Sequence, residues 1–495
     1  MTVQDVMNSS NVKFGTSGAR GLAADITDFV AYVYTKGFLQ HLAEKGEVIT
    51  GTAVAIAGDL RPSTGRIMRA VRFAAAEMGF MPVNCGRIPS PAVAYYGIQQ
   101  GIPAIMVTGS HIPADRNGIK FNKPAGEILK PDEEGIREQE VAVPTDLFDR
   151  SGSFREAAEY PWPEDSAARD LYVARYLDLF PSGCLSGLTV GIYQHTAVGL
   201  DIMERIISSL GAGTVVLGHS NTFIPVDTEA IREEDIDLAR RWTDEYGFDS
   251  IISTDGDSDR PLISDEHGKW LRGDIAGILC AKYLGADSVS IPVSCNSAAE
   301  RSGYFPAVRR TKIGSPYVIA AMNDASAEGA ERVVGYEANG GFLTNSRIPL
   351  FGAELTPLPT RDAVIVHLAI LMLSIEKGKS ISELARSLPS RYTYSDRLKN
   401  FPQEKSRAIL SRFTSGIEKN DLLEAANVFG DISGACSGID RTDGIRMTFN
   451  SGEIIHLRPS GNAPEFRCYT EAETEERARE VNEACMSILK GMHPL

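Results

Sequence analysis

The segment "TDGDSDRPLISDE" sets Asp255, Asp257 and Asp259 two residues apart. In an extended loop, residues at that spacing point the same way. Three converging carboxylates repel one another unless a cation binds them. Hard oxygen donors suit Mg²⁺, which keeps coordination positions open for a phosphate oxygen. An EF-hand also begins D-x-D-x-D, and Glu266 stands at its twelfth place. Arg260, however, occupies the position where the EF-hand turn needs glycine, and the flanks "DSIIS" and "PLIS" are strand-like. A solvated acidic turn is the other alternative.

A second chemical stretch is "AIMVTGSHIPADRNGIKF", an apolar run ending abruptly in Thr108, Gly109, Ser110 and His111. Adjacent side chains at a strand end are expected to point apart, which argues against a Ser110–His111 nucleophile–base pair. The G-x-S-x-G elbow is also absent. A serine beside a divalent-cation site suggests phosphoryl chemistry instead, with Oγ carrying the group and His111 orienting the loop. The plain alternative is a turn or helix-capping serine.

Three further loops carry polar chemistry. In "RPSGNAPEFR", Arg458, Ser460, Asn462 and Arg467 surround Gly461, and backbone N–H groups with a guanidinium can cradle a phosphate. In "GYEANGGF", Glu337 and Asn339 precede two glycines, and a carboxylate can accept from neighbouring sugar hydroxyls. Tight or polar turns are the alternatives for both. "FGTSGARG" is a glycine-rich loop with Arg20 that lacks the Walker lysine. No dinucleotide fingerprint follows a strand.

The elements that must hold these loops share one plan. "PAIMV" runs into "TGSHIPADRNG", "FDSIIST" into "DGDSDR", and "ERVVGYE" into "ANGGF". Helical patterns such as "DLYVARYLDLF" and "DIAGILCAKYLG" lie between them, which predicts parallel α/β layers with ligands at the carboxyl ends of the strands. The C-terminal part differs. "GIRMTF", "IIHLRPS" and "FRCYTEA" read as antiparallel strands, and "TEERAREVNEACMSIL" as a closing amphipathic helix, an α+β pattern. Breaks near residue 160, at His267–Gly268 and near residue 378 divide the chain into 1–160, 161–268, 269–380 and 381–495.

The 495 residues exceed what one core supports. A net charge of −15 without a basic block argues against nucleic acid or an anionic membrane as partner. Seven scattered cysteines without a C-x-x-C pair suggest reduced thiols and a cytoplasmic protein. No signal peptide is evident in "MTVQDVMNSSNVKFG". The longest apolar stretch, Ala363 to Ile375, contains His367 and falls short of the about 20 residues a membrane span needs.

Taken together, "FGTSGARG", "TGSHIP", "DGDSDR", "GYEANGG" and "RPSGNAP", in this order, resemble the α-D-phosphohexomutase superfamily of phosphoglucomutases and phosphomannomutases. The resemblance spans the chain from Phe14 to the C-terminal phosphate loop. It implies three related α/β domains and a smaller α+β domain around a central cleft. The activity implied is phosphate transfer between O1 and O6 of a hexose through a hexose 1,6-bisphosphate. The implied carrier is Ser110, and the implied Mg²⁺ ligands are Ser110, Asp255, Asp257 and Asp259. Arg260 would touch the transferring group, Lys120 and Arg20 would serve proton transfer and charge stabilisation, and His111 would organise the loop. Glu337 and Asn339 would bind the sugar, with Lys312. Arg458, Ser460, Gly461, Asn462 and Arg467 would clamp the non-reacting phosphate. The expected partner is a phosphorylated hexose, and the expected assembly a monomer or small homo-oligomer.

Two departures bear on substrate. Asn339 replaces the usual serine of the sugar loop, and Gly341 stands where histidine often follows. The N-acetylglucosamine-type mutases favour the serine-and-histidine version, so that substrate is disfavoured. The spellings "EANGG" and "RPSGNAP" are most similar to the bacterial phosphomannomutases. A phosphoglucomutase or dual-specificity enzyme is the alternative within the fold; a phosphosugar-binding protein and a serine-dependent phosphatase are alternatives outside it.

Overall fold

Each of the three polar loops leaves the carboxyl end of a fully buried strand: Ala104–Val107, Ser250–Thr254 and Val333–Tyr336. The computed structural model describes residues 1–15, 18–156, 161–460 and 464–492. The first two of these strands have parallel neighbours, as the β–loop–helix pattern predicts. Ala53–Gly58 pairs parallel with both Ala104–Val107 and Met81–Arg87. Thr189–His195 pairs parallel with both Ser250–Thr254 and Gly213–His219.

Purely parallel layers are, however, not what forms. After each loop the chain returns as an antiparallel strand. Arg116–Lys123 returns beside Ala104–Val107, Pro261–Ile263 beside Ser250–Thr254, and Phe342–Thr344 beside Val333–Tyr336. The reason is local. Apolar runs such as "PLI" follow directly, and a short loop joins antiparallel strands without a crossover helix. Each loop is therefore braced by a strand on both sides, which restricts its freedom more than a β-to-helix turn would.

The chain forms two compact units. The larger comprises Met1–Val289 and Ser315–Ala385, and the smaller Ser290–Gly314 and Arg386–Leu495. In the larger, a seven-stranded sheet carries Gly18–Leu22 antiparallel to Arg116–Lys123, which sets Arg20 opposite Gly118 and Gly18 opposite Lys120. The helix Ala363–Lys377 is the apolar stretch singled out above. It is a core helix: His367 is fully buried with Nε2 donating to the Leu262 carbonyl. Among the described residues no helix is long and apolar enough to cross a membrane.

The smaller unit holds a five-stranded antiparallel sheet ordered Tyr392–Lys399, Glu465–Ala472, Ile454–Pro459, Ile445–Phe449, Cys436–Asp440. Alternation sorts its faces. Leu457, Phe466 and Cys468 enter the core with Val481, Cys485 and Leu489 of the helix Glu475–Gly491. Arg458 and Arg467, one residue out of phase, lie on the opposite face.

Candidate active site

The serine loop is held from below by a buried ion pair. Asp59 and Arg61 follow the strand Ala53–Gly58, and both side chains are completely buried. The Asp59 carboxylate accepts from Arg61 Nε at 3.1 Å, Thr108 Oγ1 at 2.8 Å and the Gly109 N–H at 3.2 Å. The Arg61 guanidinium then donates to four carbonyls of the loop, those of Ser110, Ile112, Pro113 and Arg116, at 2.6 to 3.0 Å. This cage fixes Ser110 at φ +54°, a left-handed conformation costly for a non-glycine residue.

That conformation overturns one expectation. Ser110 and His111 do not point apart, because the strand alternation has already ended at Ser110: Ser110 Oγ lies 3.3 Å from His111 Nδ1. The pair is still not a nucleophile and its base. Ser110 Oγ donates to Asp255 Oδ2 at 2.5 Å. His111 Nδ1 accepts from Arg260 at 2.9 Å. Burial, with Arg260 next, holds the His111 imidazole far below its ordinary pKa, so it is neutral.

The metal-type loop meets this serine directly. Gly256 packs on the serine loop so closely that a Cβ there would sit 2.8 Å from the Ser110 carbonyl. Carboxylate oxygens of Asp255, Asp257 and Asp259 lie within 4.8 Å of one another, all buried. Lys120 Nζ stands 2.6 Å from Asp257 and 2.5 Å from Asp259. Burial disfavours its charge, but those two carboxylates outweigh that and hold the ammonium above its ordinary pKa. Burial pushes Asp257 up, and Lys120 overrides it and holds the carboxyl well below the usual range. Asp255 is driven the other way, well up, by burial and then by its two acidic neighbours.

The donor set fits a hard divalent cation. Asp257 Oδ1 and Asp259 Oδ1 are buried oxygens without a hydrogen-bond partner. Oxygens so placed are costly unless something binds them, and three carboxylates with a hydroxyl at their edge are hard ligands. Arg260 Nε lies 3.9 Å from Asp255 and 3.8 Å from Asp259. Arg20 faces the same cluster. Its pKa falls to about 10, first through burial and then through the charge of Arg260.

Glu337 joins the cluster through an arginine that the sequence motifs did not reveal. Arg361 Nε donates to Glu337 Oε2 at 2.5 Å, and Arg361 also lies 4.0 Å from Asp259 and from Glu127. Burial opposes its charge, but Glu337, Glu127 and Asp259 outweigh burial and raise its pKa. Gly341 is explained by the same side chain, since a Cβ at 341 would meet Arg361 Cδ at 2.5 Å. Asn339 shapes the loop: its Oδ1 accepts from the Gly341 N–H at 3.0 Å. Ser90 is a second addition, donating to Asp257 Oδ2 at 2.5 Å. The signals were visible but unspecific: "GDLRPS" puts a polar pair at a strand end, and "TRD" puts one before the most apolar helix.

The smaller unit holds the remaining assigned residues. Strand register places Arg397, Arg467 and Arg458 directly across from one another on adjacent strands. Opposed like charges destabilise a sheet unless countered. Glu465 lies 3.3 Å from both Arg397 and Arg467, and Asp443 lies 2.9 Å from Arg458. Ser460 is buried, with its N–H donating to the Glu465 carbonyl at 2.8 Å. Lys312 follows the strand Ala307–Thr311 and is exposed. Gly461 and Asn462 lie outside the described residues.

The Asp59–Arg61 pair yields a stability test. Removing one member of a buried pair strands the other charge, at a cost of about 3–5 kcal/mol. Arg61→Met is expected to lose that much in urea unfolding, and Asp59→Asn in the same chain to recover much of it. A loss of about 1 kcal/mol or less, the size of an exposed pair, would contradict the cage.

Comparison with known proteins agrees with this geometry. Three family models match: phosphoglucomutase/phosphomannomutase α/β/α domain I over residues 11–142, α/β/α domain III over 272–392, and the C-terminal domain over 411–487. A phosphomannomutase of Salmonella muenchen is 44% identical over 486 residues, covering 98% of this chain and 97% of that one. A phosphomannomutase of Sinorhizobium fredii is 41% identical over 477 residues, covering 96% and 98%. Among solved structures, a phosphoglucomutase/phosphomannomutase family protein from Burkholderia thailandensis has a similar fold at TM-score 0.72 and 18% identity, covering 99% of this chain and 98% of that one. With identity above two-fifths along nearly its whole length, and with a buried serine set on a triple-carboxylate loop, the chain belongs to the phosphoglucomutase/phosphomannomutase family.

Proposed function

We propose that the protein is a phosphohexomutase that interconverts hexose 1-phosphate and hexose 6-phosphate, with mannose favoured, through phospho-Ser110 and a hexose 1,6-bisphosphate. The observation that carries this reading is the Ser110 hydroxyl set on Asp255 at 2.5 Å, inside a buried cluster of three carboxylates, Lys120 and Arg260. Mannose preference is supported by the phosphomannomutases to which the chain is similar. The four-domain division at residues 160, 268 and 380 is part of the proposal, supported by the separate matches to domains I and III and to the C-terminal domain.

Phospho-Ser110 gives its phosphoryl group to the free hydroxyl of the bound hexose monophosphate. The Oγ–P bond breaks, a P–O bond to the sugar forms, the hydroxyl loses its proton and Ser110 regains one. The sugar then presents its other phosphate: Ser110 Oγ attacks it, the Oγ–P bond forms as the P–O bond to the sugar breaks, and the proton lost by Oγ is balanced by one taken up at the leaving sugar oxygen. Asp255, Asp257 and Asp259, with Ser110 at their edge, would hold Mg²⁺, which would supply positive charge against the phosphoryl oxygens. Arg260 and Arg20 add fixed positive charge at the same place. Lys120, an ammonium in this arrangement, relays the proton: it gives one to the departing Ser110 Oγ and takes one from the substrate hydroxyl. His111, neutral and fixed by Arg260, orients the loop.

Glu337 accepts from two adjacent sugar hydroxyls. The hydrogen bond from Arg361 leaves it acceptor capacity, because each carboxylate oxygen has two lone pairs. Asn339 and Lys312 assist, while Arg458, Ser460, Gly461, Asn462 and Arg467 hold the non-reacting phosphate. Contact to hydroxyls away from C2 does not separate glucose from mannose. That favours a second reading in which both sugars are turned over.

One assay separates the readings. Mannose 1-phosphate and glucose 1-phosphate are offered with Mg²⁺, and both 6-phosphates and free phosphate are measured. Conversion to 6-phosphate, faster for mannose, is expected. Free phosphate as the main product would mean a phosphatase, and no turnover a binding protein. Ser110→Ala is expected to lose about a thousandfold or more in kcat and to lack the added phosphoryl mass of the active enzyme. Full activity in that variant would sink the mechanism.

Metal binding is checked without turnover. At a hundredfold excess over its Kd, Mg²⁺ is expected to stabilise the fold by about 2.7 kcal/mol through mass action. Asp257→Asn should remove most of that gain and weaken the calorimetric Kd. Absence of both heat and stabilisation in the parent protein would overturn the ligand set.

A further inference from the structure

The reading of Arg458 as a phosphate clamp leaves a question: what aims a long, flexible guanidinium at one point? The turn between the strands Cys436–Asp440 and Ile445–Phe449 answers it. Asp443 Oδ1 accepts from Arg458 Nε at 2.9 Å, and its Oδ2 accepts from the Ile313 N–H at 3.0 Å. Ile313 directly follows Lys312. One carboxylate thus ties together two segments of the smaller unit to which substrate contacts were assigned, that of Arg458 and that of Lys312. Asp443 is itself anchored, since its carbonyl accepts from His456 Nε2 at 2.6 Å and His456 is buried.

A carboxylate beside an anion clamp is an electrostatic cost. Its negative charge opposes the phosphate dianion that Arg458 and Arg467 would attract. Such a residue is worth having there only if what it positions outweighs what it repels. The geometry states what that is. Binding through Nε restricts rotation of the guanidinium plane, whose two terminal amino groups are the fork that can bind phosphate in bidentate fashion. Binding the Ile313 N–H at the same time fixes where Lys312 leaves its strand.

We propose that Asp443 is a positioning residue for the non-reacting phosphate, setting the Arg458 guanidinium and the Lys312 segment in one fixed relation. The proposal rests on the phosphate-clamp reading of Arg458. Asparagine cannot replace it, because the two oxygens serve two donors and an amide offers one acceptor.

The test is a double-mutant cycle on the full-length enzyme, read as KM and kcat for mannose 1-phosphate and as the inhibition constant of inorganic phosphate. D443N is expected to raise KM and the phosphate constant by about tenfold, the size of one charge-assisted hydrogen bond, while kcat changes by less than about twofold. Simple charge removal makes the opposite prediction, tighter phosphate binding. In R458K, which keeps the charge but has no Nε to hold, D443N is expected to add less than about twofold. Thermal melting identifies any variant that has lost its fold, and R458K supplies a folded background in that event. Unchanged or lowered KM in D443N, or full additivity with R458K, overturns the positioning role while leaving the clamp intact. An R458A variant with unchanged KM overturns the clamp itself, and this proposal with it.

Discussion

The larger unit is organised around one electrostatic problem: three carboxylates and a hydroxyl brought into a single buried place. Left alone, Asp255, Asp257 and Asp259 would repel one another in a medium that screens poorly. The protein answers with positive charge delivered from separate parts of the chain. Lys120 comes from the return strand of the serine loop and Arg260 from the metal-type loop. Arg20 comes from the strand beside Lys120, and Arg361 from the residue before a helix N-cap. Two carboxylate oxygens remain buried without a partner, and this residual imbalance is the local demand for a cation.

Rigidity follows from the same demand. A catalytic cluster of opposing charges works only if its members cannot relax toward one another. The three loops are therefore braced by antiparallel return strands, and the serine loop is caged by Arg61 and Asp59. The left-handed Ser110 stands within this cage, as expected when surrounding structure must over-determine a costly conformation.

Much of this was legible in the sequence, and the limits have physical causes. The acidic and serine loops, which the structure brings together, were readable because their polar residues are concentrated in consecutive positions. The core helix Ala363–Lys377 followed from an unbroken apolar stretch too short to span a membrane, and the closing helix Glu475–Gly491 from its amphipathic pattern. Arg61 and Arg361 were not legible as site residues, because their partners Ser110 and Glu337 lie far along the chain and only folding joins them. The Ser110–His111 geometry failed because alternation was carried past the strand, which ends at Val107, three residues before Ser110. "PLIS" read as strand-like, but its antiparallel return was missed, because so short a run carries too few residues to declare its direction.

The central claim is that Ser110 carries a phosphoryl group and delivers it to a sugar rather than to water. The direct measurement is a single turnover with enzyme labelled on Ser110 by radioactive phosphate, mixed with unlabelled mannose 1-phosphate and quenched in milliseconds. The label should leave the protein and appear first in mannose 1,6-bisphosphate, at O6, with little released as inorganic phosphate. Label that stays on the protein while product forms, or that emerges as inorganic phosphate, would contradict a phosphoserine donor.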